Sequence, residues 1–137
     1  MVTNPTMLVR FFGGLVDGDI VSAAHFALML TPVWDGYHKD GSRYGLGVFL
    51  YGDGSFGHGG LWPGYRTHVV HDPVSGVTVA VQTNRDGRLD MHGLAARIRG
   101  VANESNELND AGRRDPRGAL VRATGRASAV STYRDQV

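Results

Sequence analysis

The chain has 137 residues, enough for one domain, and 42% of them are apolar, an ordinary share for a chain that buries a core. Its formal net charge is +1, from 14 Lys+Arg against 13 Asp+Glu, which removes any electrostatic case for binding nucleic acid or an anionic membrane. Cysteine is absent, so disulfides, thiolate metal sites and a cysteine nucleophile are excluded together.

The opening residues, Met1 to Met7, carry no basic segment followed by an apolar run, so they do not read as a signal peptide. No stretch approaches the roughly 18 consecutive apolar residues of a membrane span, and the compartment stays open. The first element is expected to be a short helix. Thr3 or Asn4 can cap it, Pro5 sits where a missing N–H costs nothing, and Met7, Leu8, Phe11, Phe12 and Leu15 recur at helical spacing. Gly13 and Gly14 weaken its end, and Asp17-Gly18-Asp19 turns the chain. Ser22 caps a second helix over 23–30, closed by Pro32, and residues 33–43 read as a loop.

The middle changes character. Residues 44–51 form one β-type run ending at the turn signal Gly52-Asp53-Gly54, and residues 55–60 resume as a short, glycine-rich strand. Residues 65–71 and 77–83 are two further strands, the last firm in its β-branched residues. Short loops join them, so the economical topology is an antiparallel meander. A last helix is expected over 89–102, with Leu89, Leu94, Ile98 and Val101 near one face. Residues 103–137 hold six arginines and five acids with no sustained period, and read as a disordered, Arg-rich tail. The fold class is α+β: an antiparallel meander with flanking helices.

Tyr44-Gly45-Leu46-Gly47, then Phe56-Gly57-His58-Gly59-Gly60-Leu61-Trp62-Pro63-Gly64-Tyr65, then the apolar strand ending Gln82-Thr83-Asn84, stand in a telling order. In that order and spacing they resemble the C-terminal part of the serine β-lactamase-like family, which includes class C β-lactamases, D-alanyl-D-alanine carboxypeptidases and related esterases. The resemblance covers about residues 3–102 and implies a C-terminal fragment of the β-lactamase/transpeptidase-like fold, acting on a small-molecule or peptide substrate. Family members build their machinery from three motifs, S-x-x-K, Y-x-N or S-x-N, and K-T-G.

The resemblance places His58-Gly59-Gly60 at the third motif, with histidine in the lysine position. It implies that His58 faces the substrate carboxylate or the proton network, and that Gly59 and Gly60 leave room for a substrate backbone. It also implies that the Leu61 N–H is one of two oxyanion donors. Trp62 and Tyr65 read equally as substrate-facing aromatics or as cover for the hairpin.

The departures matter as much. No serine is followed three residues later by lysine, and neither Tyr-x-Asn nor Ser-x-Asn occurs. Acyl transfer needs nucleophile, base and oxyanion donors together, so this chain is expected to be inactive alone. The alternative reading is a non-catalytic module that docks on a partner, or on itself, along an uncovered sheet edge.

No metal and no cofactor are implied. His68 and His71, three apart in one strand, point to opposite faces and read as surface or edge residues. His25, His38 and His92 have no partners at metal-ligand spacing, and the glycines at 57–60 lack the Gly-Lys-Ser/Thr of a phosphate loop.

Overall fold

The computed structural model describes residues 3–35, 41–85, 87–112 and 128–132. Helix α1 spans Pro5–Asp17. Asn4 caps it, its Oδ1 accepting the Met7 N–H at 2.9 Å, and proline stands in the first turn. The helix does not weaken at Gly13-Gly14. Val9, Phe12 and Leu15 are buried on both sides of the pair and hold it in register. Gly18, at φ 82°, ends the helix in the left-handed region and donates to the Gly14 carbonyl. The buried stripe is Pro5, Val9, Phe12 and Leu15, whereas Met7 and Phe11 are exposed, so the core face is rotated from the expected one. Helix α2 (Ala23–Met29) is capped by Ser22, whose Oγ accepts the His25 N–H.

The run 44–51 is not one strand. It is a small hairpin of β1 (Arg43–Tyr44) and β2 (Phe49–Leu50), paired antiparallel. Gly45 is the reason. A Cβ there would lie 2.0 Å from the Met29 carbonyl oxygen, and the Leu46 N–H donates to that same oxygen at 3.0 Å. The backbone therefore presses against the end of α2 and turns, with Gly47 at φ 81°.

Strands β3 (Phe56–Trp62), β4 (Tyr65–His71) and β5 (Thr78–Thr83) continue the antiparallel meander. β3 is two residues longer at its far end than the sequence indicated. Helix α3 runs over Met91–Gly112, well past Ala102, and β6 (Ser128–Thr132) pairs with β5 in parallel. A parallel pair needs a crossover, and α3 lies between the two strands in the chain. The sheet order is β1-β2-β3-β4-β5-β6. Within residues 103–137, which the sequence read as a disordered tail, the described parts are thus the end of α3 and β6. Residues 113–127 and 133–137 lie outside the described residues, as does the 36–40 part of the 33–43 loop.

The sheet separates two cores. Val9 and Phe12 of α1 pack with Val48, Phe56, Val69 and Ala80, joined by Phe26, Met29 and Leu30 from the α2 region. On the other side Met91 and Ala95 of α3 pack with Val70, Val77, Val79 and Val81. β4 and β5 are covered on both faces, which decides the fate of their histidines. His68 and His71 are 6% and 4% exposed, not surface residues, because a central strand between two helical layers has no solvent face. They do point to opposite sides. His71 packs on Phe56 and pairs through Nδ1 with the Thr78 hydroxyl at 2.8 Å, while His68 meets α3. Among the described residues, no helix is long and apolar enough to cross a membrane.

Candidate active site

β3 and β4 close through Pro63 and Gly64, with Trp62 opposite Tyr65 and Gly64 at φ 81°, the pattern of a Pro-Gly turn. A two-residue loop makes the closing Trp62–Tyr65 pair the hydrogen-bonded one, and hydrogen-bonded pairs alternate along the ladder. Leu61 and Gly59 therefore turn their N–H and C=O groups away from β4. The Tyr51 N–H bond to the Ser55 carbonyl, 2.9 Å, carries the same parity onto the β2 side of β3. β2 meets β3 only at Phe56 and Gly57. Past that point no described strand pairs with this edge, so the main-chain groups of Gly59 and Leu61 lie along an open margin.

His58 stands at the start of that margin, partly buried. Its Nδ1 is 2.6 Å from the Gly59 carbonyl oxygen and its Nε2 is 3.0 Å from the Tyr44 hydroxyl. The rings of Phe49 and Tyr44 lie 5.2 Å and 5.9 Å from the imidazole. The β1–β2 hairpin, forced by Gly45, is what carries both aromatics to it. Tyr44 was not singled out from the sequence as a partner of His58. The only signal was its place in the Tyr-Gly-Leu-Gly segment, fourteen residues away.

The glycines of the segment divide into two kinds. A Cβ on Gly57 would lie 2.0 Å from the Val69 carbonyl oxygen and 2.9 Å from the Val70 Cα, so the strand packing itself demands glycine. A Cβ on Gly59 would come no closer than 3.5 Å, to His68 Nδ1, and one on Gly60 no closer than 3.7 Å, to Thr67. Both are ordinary contacts. The fold has no steric need for glycine at 59 or 60. Beyond them Leu61 (74% exposed), Trp62 (73%) and Tyr65 (54%) stand in solvent.

The family model for Beta-lactamase matches residues 1–104. The chain belongs to the β-lactamase family. This is a family of serine hydrolases and transpeptidases, and the match takes in all three stretches that carried the resemblance. No curated protein and no solved structure matches the chain.

In this β-lactamase-family chain two further groups of titratable side chains are engaged with protein partners. A concavity of about 190 Å³ behind the β2–β3 turn is lined by Tyr51, Asp53, His92 and Arg99, and lies away from the His58 margin. Burial works against ionisation of Asp53. The Ser55 hydroxyl and N–H and the Arg99 guanidinium outweigh it and hold the carboxyl at about 2. His92, isolated by its sequence spacing, meets His68: Nδ1 and Nε2 are 3.3 Å apart. Among the described residues, no group of three or more potential ligands is placed to hold a metal ion.

Proposed function

We propose that residues 58–62 form the substrate-facing edge of a serine hydrolase of the β-lactamase/D-alanyl-D-alanine carboxypeptidase type, and that these 137 residues do not hydrolyse substrate by themselves. The observation that carries this reading is the open margin of β3. Beside His58, two glycines that the fold does not require lead to main-chain groups turned away from β4. A substrate backbone can lie against Gly59 and Gly60, and the Leu61 N–H, turned away from β4, is free of that strand to serve as an oxyanion donor.

In the complete machinery a serine attacks an amide or ester carbonyl, and the developing oxyanion accepts the Leu61 N–H. His58 faces the substrate carboxylate or the proton network around that centre, and its two ring nitrogens, held by Tyr44 and Gly59, give it a fixed orientation for either role. The serine, its base and the second motif have no counterpart among these residues.

The test is a complete family enzyme carrying this segment in place of its own. There His58→Ala lowers kcat/KM by on the order of 100-fold or more. An unchanged rate overturns the assignment.

A second reading has its own support: Leu61, Trp62 and Tyr65 form an exposed apolar rim beside the open margin, suited to docking on a partner or a second copy. Concentration-dependent dimerisation that Trp62→Asp abolishes would favour it. A strict monomer would remove self-association from it.

A further inference from the structure

The two bonds of His58 fix where its proton resides. A carbonyl oxygen can only accept, so at 2.6 Å from the Gly59 oxygen Nδ1 carries the hydrogen. In the neutral ring Nε2 then holds a lone pair, and the Tyr44 hydroxyl at 3.0 Å is the donor to it. We propose that Tyr44 is a positioning residue of this site: the Gly59 carbonyl fixes the Nδ1–H tautomer of His58, and the Tyr44 hydroxyl, donating to the bare Nε2, holds the imidazole so that Nδ1–H stays aimed at the margin. The proposal rests on the functional reading above for its consequence in catalysis, but not for its geometry.

This hold has a chemical use. The Gly59 carbonyl that receives the Nδ1 hydrogen is one of the groups turned to the open margin of β3. A ligand amide N–H that pairs with this carbonyl competes with the histidine for it. The displaced Nδ1–H is then available to an acceptor on the same ligand, a carbonyl or carboxylate. With Nε2 held by Tyr44, the imidazole stays in place while this exchange occurs. The site so described favours a peptide-like molecule that presents a donor and an acceptor together, over an ester or alcohol that presents acceptors alone. A histidine free to change tautomer would not discriminate in this way.

Ring packing cannot supply the hold on Nε2. Tyr44 also stacks edge-on against Phe49, with centroids 4.8 Å apart, and phenylalanine keeps that contact while losing the hydroxyl. Tyr44→Phe therefore separates the two roles.

The experiment is nitrogen NMR of the imidazole rings in the 15N-labelled full chain at about pH 8.5, above the ordinary histidine range. His58→Gln assigns the signals, and the same spectra are taken for Tyr44→Phe. The wild-type chain should show His58 with Nδ1 protonated and Nε2 bare. Tyr44→Phe should keep Nδ1 protonated but move the bare Nε2 signal toward that of an unbonded nitrogen, while the melting temperature stays within a few degrees. A dominant Nε2–H tautomer in the wild type, or an unchanged Nε2 shift in Tyr44→Phe, overturns the proposal. The activity test of His58→Ala is independent. If the Tyr44 hold is found and turnover is untouched by that change, the functional reading falls while the hold stands; the opposite pair of results removes the hold alone.

Discussion

His68 on β4 and His92 in the first turn of α3 meet nitrogen to nitrogen at 3.3 Å, and their rings stand edge to face with centroids 5.1 Å apart. One hydrogen can lie between the two nitrogens, so the contact suits a neutral pair and turns hostile when both are charged. Burial, then the charges of His92 and His58, push the His68 pKa down to about 4, with Asp90 pulling weakly the other way.

From this contact follows a pH dependence of stability. Between about 6.5, the unfolded value, and about 4, the unfolded chain binds a proton at His68 that the folded chain does not. The contribution is complete above 6.5, fades as pH falls, and at most about 3 kcal/mol is gone below 4. The carboxylates act lower. Asp53, held at about 2 against an ordinary 3.8, loses its contribution only as pH falls through that range. Melting temperatures measured from pH 7.5 to 4.5 therefore avoid the Asp53 range, and comparison with His68→Gln isolates the contribution of His68 from the other histidines. They should fall in the wild type and fall less in His68→Gln, whereas equal slopes would count against the buried pair.

Two glycines of the same segment should respond in opposite ways to the same substitution. Gly57→Ala drives a Cβ into the β4 backbone and should cost more than about 3 kcal/mol or prevent folding, as should Gly45→Ala against the end of α2. Gly59→Ala meets only van der Waals contacts and should stay within about 1 kcal/mol. Urea unfolding of the three variants checks the contrast. Equal losses at 57 and 59 would mean that Gly59 is structural and that the open margin is not a reserved space.

Adjacent phenylalanines on α1 give a third contrast. Phe12 is buried and stacks on Phe56 with centroids 6.1 Å apart, whereas Phe11 is about half exposed. Phe12→Ala should cost about 3–5 kcal/mol in chemical unfolding and Phe11→Ala less than about 1 kcal/mol. The reverse order would place the core on the other face of the helix.

The caps, the helices and the meander were legible because each is written locally: Asn4-Pro5 starts α1, Ser22 starts α2, and Val77 to Val81 can hardly be anything but a strand. What was not legible depends on distant atoms. Residues 44–51 look like one strand until the Met29 carbonyl is known to press on Gly45. His68 and His71 look like edge residues until helices cover both faces of β4. The site follows the same division. The sequence order pointed to His58, Gly59, Gly60 and Leu61, but the partnership of His58 with Tyr44 is made by a turn whose cause lies in α2.

The proposal that these residues form a substrate-facing edge without a nucleophile is tested most directly by intact mass spectrometry of the purified chain after incubation with excess benzylpenicillin and, separately, a fluorophosphonate. Both samples should keep the unmodified mass of the 137-residue chain. A stoichiometric covalent adduct on any serine, lost on prior denaturation, would show a working nucleophile within these residues and contradict the assignment.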